Sequence, residues 1–274
     1  MTTAAVTDIP SVLDISTGLF GICSIVQEQS NNTGVVILNS GILHRVGPYR
    51  LHVTLARKLA SAGFPTIRLD QSGKGDSEPR VNTSRADTIS DEIRATSGFL
   101  AEQYGVSKIV LIGLCSGADD ILNHSHHCSN LAGVVLLDGY AQRNLSYFYH
   151  RYAPKLLSVQ GWIDRISSVP SDTGEVIGQS MGVNIREWDD PKAIVKRYAE
   201  LDQTGVNNLS IFTTDASDYY CYEGQLKDNI AAIGKTPVNL TELFVSQAKH
   251  LYPIQSHRND LVNRIFDWMQ KHHD

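Results

Sequence analysis

The pentapeptide Gly113-Leu114-Cys115-Ser116-Gly117 places a thiol between two glycines, directly after the apolar run KIVLIGL (108–114). A nucleophile set this way is held on a tight turn where a strand ends and a helix begins, and the glycines let neighbouring backbone come close. The preceding run reads as a strand and SGADDILNHSH as a helix, so the context fits. Were Ser116 the nucleophile, Leu114 and Ala118 would fall at the close-approach positions, where leucine fits poorly. Cys115 is therefore preferred and Ser116 is the alternative. An inert buried cysteine is the plain structural reading, common for this residue type, and the strand-to-helix turn argues against it.

Such a thiol needs a base and an orienting acid, which follow in the order acid, then histidine. Of ten histidines, His272 and His273 are terminal, and His52 lies within a helical pattern. His124, His126 and His127 fall about two or more helical turns beyond Cys115. His250, in AKHLYP after the last strand-like run, opens at the same sheet end as the turn and is the preferred base; His257 is a weaker candidate. The acid is expected after LSIFTT (209–214), where TTDASDYY offers both Asp215 and Asp218. It would accept a hydrogen bond from the imidazole, fix its tautomer and stabilise imidazolium.

With His250 and a helix N-terminus beside it, Cys115 would gain thiolate character. The chemistry that follows is acyl transfer through a thioester on Cys115, released by water or another acceptor. Charge on the carbonyl oxygen requires donors: the backbone N–H of Ser116, and one near Gly41 or Ile42 in NSGILHR (39–45). His44 and Arg45 in that loop are either surface residues or a handle for an anionic substrate group. Two further stretches persuade less. QSGKGDS (71–77) lacks the spacing of a phosphate loop, and HSHHC (124–128) lacks a second pair of metal ligands. No metal or cofactor is expected.

The elements that must position these residues follow a rhythm. Strand-like runs at 34–39, 64–70, 108–114, 132–138, 209–214 and 241–246 alternate with helical patterns at 48–63, 86–104, 116–127, 222–232 and 256–273. Short apolar runs between amphipathic helices predict an α/β fold with a doubly wound, mostly parallel sheet. GICSIVQE (21–28) alternates and is expected as an antiparallel edge strand. The rhythm breaks after Gly139, so residues 1–139 and 206–274 are expected to form the core and 140–205 a helical lid; extra strand–helix units are the competing reading. Tyr147, Phe148, Tyr149, Tyr152 and Trp162 would line the lid or form its own small core.

The 274 residues carry 24 Lys+Arg against 29 Asp+Glu, a formal charge of −5, which gives no reason to expect nucleic acid or an anionic membrane as partner. No apolar run approaches the ~20 residues that span a bilayer. No basic n-region precedes an apolar core at the N-terminus, and the four cysteines lack paired spacing. Reduced thiols in a cytoplasm are the expectation. A homodimer is left open.

The chain resembles the α/β-hydrolase superfamily over nearly its whole length, through VVILNSG, IRLDQSGKGDS (an Asp-x-x-Gly-x-Gly-x-Ser pattern), GLCSGA, TTDASDYY and AKHLYP, in that order. The resemblance implies a lid where 140–205 lies. By the Ser-Asp of ASDYY it carries the acid role to Asp218. Cysteine at the nucleophile position is similar to dienelactone hydrolases and polyhydroxyalkanoate synthases, and NSGILHRVGPYRLHVTLARKLASAGF looks like bacterial hydrolase-like proteins of biosynthetic loci. What this implies is a cysteine-dependent hydrolase of an ester, thioester or lactone, free or carrier-bound. An acyltransferase or cyclase using the same intermediate, and a non-catalytic ligand-binding protein on the scaffold, are the alternatives.

Overall fold

Val35, Val36 and Ile37, Ile109–Ile112 and Val134–Leu136 are all at most 1% exposed. Strands so apolar on consecutive positions must be covered on both faces, the signature of a parallel sheet between helix layers. The computed structural model, which describes residues 5–27, 31–156 and 190–274, has that form. Eight strands run β1 (Thr7–Asp14), β2 (Leu19–Ile25), β3 (Thr33–Ile37), β4 (Thr66–Asp70), β5 (Lys108–Leu114), β6 (Leu131–Leu137), β7 (Asn207–Thr213) and β8 (Leu240–Val245). Their spatial order is β1-β2-β4-β3-β5-β6-β7-β8. β1 and β2 are antiparallel, and every pair from β4 onward is parallel.

The expected antiparallel strand is β2, Leu19–Ile25, but it is not the edge. β1 lies outside it, with Pro10 in the edge position where a missing N–H costs no ladder bond.

Among the described residues the helices are α1 (Leu51–Ala60), α2 (Arg85–Tyr104), α3 (Ser116–His124), α4 (Leu145–Leu156), α5 (Pro191–Gln203), α6 (Gln225–Ala232) and α7 (Gln255–His273). α1 and α7 close one core against Val35, Val110 and Ile211; α2, α3, α5 and α6 close the other against Val36, Leu111 and Val134. In the segment 140–205, α4 and α5 are helical, and α5 buries Ile194, Val195 and Tyr198 in the second core beside α3. Residues 157–189, including Trp162, lie outside the described residues.

The chain crosses from one side of the sheet to the other around β3 and β5. At such a switch point the loops beyond the strand ends splay apart and leave a crevice, and these are the loops that carry the residues singled out above.

Candidate active site

β5 delivers Cys115 to the rim of the sheet, and α3 starts one residue later. Cys115 has φ 58 and ψ −122, a region that β-carbon-bearing residues avoid. Its N–H is anchored to the Leu137 carbonyl at 2.9 Å and its carbonyl accepts from Ala118 and Asp119. The glycines around it are sterically obligatory. A Cβ on Gly113 would lie 2.4 Å from the Gly117 carbonyl carbon, and one on Gly117 would lie 2.4 Å from the Asn39 oxygen. Ser116 is 3% exposed, and its Oγ accepts the Gly41 N–H at 2.8 Å. That hydroxyl is turned into the structure, tying the loop after β3 to the start of α3. Its N–H belongs to the first turn of α3, where amides have no intrahelical acceptor.

The β8–α7 loop carries His250. Its Nδ1 is 2.7 Å from Oδ2 of Asp138, and Cys115 hydrogen-bonds to the same ring. Burial opposes a charge on this imidazole. The hydrogen bonds to Asp138 and Cys115 and their negative charge outweigh it and raise His250 to about 10. Cys115, His250 and Asp138 thus form a connected line across the ends of β5, β6 and β8.

The acid position differs from the expectation. Asp218, carried over by resemblance, has a side chain that is 76% exposed and lies 3.4 Å from Arg151 of α4. Its carbonyl accepts from Tyr147 Oη and Arg143 Nε, so this residue stitches α4 to the segment after β7. A 3-10 turn over Thr214–Ala216 leads the chain away before Asp218 is reached. Asp215 touches His250, but through the backbone: Oδ2 accepts the His250 N–H at 2.8 Å and Oδ1 takes Lys249 Nζ at 3.1 Å. The ring's own partner, Asp138, closes β6 in the stretch Leu136-Leu137-Asp138-Gly139. An acidic residue ending an apolar parallel strand, followed by glycine, was the signal that could have found it.

Asp138 is 1% exposed with φ 49. Thr213 donates its N–H to Oδ1 at 2.6 Å and its hydroxyl to Oδ2 at 2.8 Å, and Tyr219 Oη donates to the Asp138 carbonyl at 3.0 Å.

The loop after β3 makes a turn closed by Leu43 N–H to the Ser40 carbonyl at 2.9 Å, with Gly41 at φ 55 and Ile42 exposed. The Gly41 N–H, one of the two expected carbonyl-oxygen donors in this loop, is engaged by Ser116. Arg45 is turned onto its neighbours in the fold. Its guanidinium, 12% exposed, pairs with Asp70 and with Asp76 at 2.6 Å and lies 4.8 Å over the Phe20 ring. His44 is the more open of the two, with its side chain 44% exposed and its Nε2 3.8 Å from Asp70. His44, Asp70 and Asp76 come near metal-binding geometry, but Arg45 already supplies a cation to both carboxylates. In HSHHC, His124 Nδ1 is 3.2 Å from Ser90 Oγ and Cys128 lies against Ser97 and Asn130. Of the aromatics of α4, Tyr147 is buried, while Phe148, Tyr149 and Tyr152 are exposed.

No protein-family model matches the chain, and no curated protein matches it. Solved structures do. A dienelactone hydrolase from Anabaena variabilis is 11% identical with a TM-score of 0.58, over 99% of this chain and 100% of that one. The Pyrococcus furiosus esterase Pf2001 is 14% identical with a TM-score of 0.62, over 99% and 92%. A thermostable carboxyl esterase from Bacillus coagulans is 12% identical with a TM-score of 0.61, over 99% and 100%. The chain has the α/β-hydrolase fold.

Proposed function

We propose that this protein is a hydrolase of carboxylic esters, thioesters or lactones that works through an acyl-Cys115 intermediate. The observation that carries the reading is the line Cys115–His250–Asp138, with Cys115 on a strained turn at a helix N-terminus. That esterases and a dienelactone hydrolase share the fold supports the substrate class.

The buried Asp138 carboxylate on Nδ1 favours imidazolium at His250, and imidazolium beside Cys115 favours the thiolate over two neutral groups. The thiolate adds to the carbonyl carbon, and the carbonyl π pair moves to oxygen. The donors to that oxyanion are the Ser116 N–H, at the positive end of α3, and the Ile42 N–H of the loop after β3, since the Gly41 N–H is taken by the Ser116 hydroxyl. Collapse expels the leaving alkoxide or thiolate, which takes the proton from His250. Water then loses a proton to His250 as it attacks the thioester; collapse of the second adduct releases the carboxylic acid and returns the thiolate. Asp138 holds the ring so that Nε2 faces the sulfur, and stabilises imidazolium. α4, at the start of the proposed lid segment 140–205, is tied to the stretch after β7 through the Asp218 carbonyl. Transfer to an alcohol, amine or carrier thiol would use the same intermediate, with a dry lid excluding water.

The test is haloacetamide alkylation of Cys115 from pH 5 to 10, located by peptide mass, beside product analysis on aryl esters and thioesters with and without an amine acceptor. We expect rapid alkylation well below the ~8.5 of an ordinary cysteine, an acyl adduct on Cys115, and loss of both in His250→Ala. An inert Cys115 with no adduct would sink the proposal and favour a binding role. Capture by the amine in place of water would reassign the enzyme as an acyltransferase.

A further inference from the structure

The acid of the line described above sits at the end of β6 and the histidine beyond β8, so their hydrogen bond must pass over the end of β7. The residue standing there is Thr213, the last of β7 and fully buried. It makes two contacts to one carboxylate: its backbone N–H to Oδ1 at 2.6 Å and its hydroxyl to Oδ2 at 2.8 Å. Oδ2 is also the oxygen that His250 Nδ1 meets at 2.7 Å. With the carboxylate 1% exposed, protein donors must take the place of a hydration shell.

We infer that Thr213 is the positioning residue of the site: its hydroxyl sets the rotation of the Asp138 carboxylate and thereby the ring of His250. The inference rests on the assignment of Cys115, His250 and Asp138 proposed above. The geometry makes the two donors of Thr213 different in kind. The N–H is part of the strand and would hold Oδ1 whatever the side chain. The hydroxyl is the only part of Thr213 that reaches the oxygen shared with histidine. Without it, Oδ2 loses a donor that fixes its direction, and the carboxylate can turn about its Cβ–Cγ bond so that Oδ2 no longer stays in line with Nδ1.

The backbone supports the same reading. Asp138 sits at φ 49, a conformation that persists only where surrounding contacts over-determine it. Its N–H goes to the Ile211 carbonyl at 2.8 Å and its carbonyl receives Tyr219 Oη at 3.0 Å. Main chain and side chain are both held from β7 and the segment after it. The titratable groups around His250 are Cys115 from β5, Asp138 from β6, Asp215 at its N–H, Lys249 in its own loop, and Tyr252, which senses Asp138. Thr213 adds no charge to this set, so its removal reads out orientation.

Thr213→Val and Thr213→Ser separate hydroxyl from shape. The measurement is the pH profile of Cys115 alkylation, with kcat and KM on an aryl ester and the melting temperature of each variant. Thr213→Val is expected to move the profile toward that of an ordinary cysteine and to lower kcat about fivefold, the scale of one lost hydrogen bond, with KM unchanged. Thr213→Ser is expected to keep the native profile. A native profile in Thr213→Val, or an equal defect in the serine variant, overturns the inference. The parent reading is checked apart from it, by the native chain and His250→Ala. A primed Cys115 that needs His250 but ignores Thr213→Val leaves that reading standing and removes only this one.

Discussion

At the scale of single residues, the two candidate acids differ in what a proton-sized change does to them. Asp138 is buried and fully engaged by Thr213 and His250, so Asp138→Asn presents an amide where a ring N–H must be accepted. Asp218 is exposed and meets Arg151 at 3.4 Å. We expect Asp138→Asn to lower kcat about ten-thousandfold, as loss of the tautomer-fixing carboxylate does, and Asp218→Asn to stay within about threefold of the native chain, because exposed ion pairs contribute little. Equal losses in the two variants would remove Asp138 from the site. The Ser116 hydroxyl, 3% exposed and bonded to Gly41, ties the loop after β3 to the start of α3, which fits a supporting place beside the proposed nucleophile.

Elements explain how much of this was legible beforehand. Parallel strands buried on both faces show as unbroken apolar runs, and β5 was found to the residue. β1 was missed because TDIPSVLD is polar and broken by proline, as an exposed edge strand is free to be. Cys115 and His250 were singled out because their local signals, a glycine-flanked turn and a loop histidine after the last strand, are sequence-adjacent features. Asp138, the ring's carboxylate partner, was passed over because its local signal, an acid closing an apolar strand before glycine, does not outrank Asp215 and Asp218. The choice depends on which strand end the histidine leans over, a tertiary fact. The turn itself makes an element-scale prediction. A methyl group on Gly117 meets the Asn39 oxygen at 2.4 Å, so Gly117→Ala must push α3 away from β3. We expect a loss of about 2 kcal/mol, the scale of overpacking, measured by urea unfolding, together with loss of the primed thiol. A variant of native stability and reactivity would contradict the close approach.

For the whole molecule, a buried charged cluster outside the site ties pH to stability. Glu92 is 3% exposed; its Oε1 accepts the Ser72 N–H at 2.5 Å and its Oε2 is buried without a partner. Burial, against the pull of that hydrogen bond and of Lys74, pushes Glu92 up to about 7. A carboxyl whose folded value lies above its ordinary one binds a proton more tightly when folded. Its stabilising contribution is therefore complete below the ordinary carboxylate range and is lost as pH rises through 7. Buried His52 and His273, both lowered to about 4, act in the opposite sense in acid, so the difference between variants isolates Glu92. Glu92→Gln should melt several degrees above the native chain at pH 8 and show no such gain at pH 5, by calorimetry. A gain independent of pH would mean that Glu92 is not the titrating group.

The sheet order has a consequence in time. Cys115 leaves the ribosome long before His250, and the histidine reaches it only after β6, β7 and β8 have been laid side by side. On the proposed mechanism the thiol until then has neither its base nor its acid. A nascent or misfolded copy would then carry an ordinary cysteine, slow toward stray electrophiles and oxidants, and a reactive sulfur would come into being only with the finished fold.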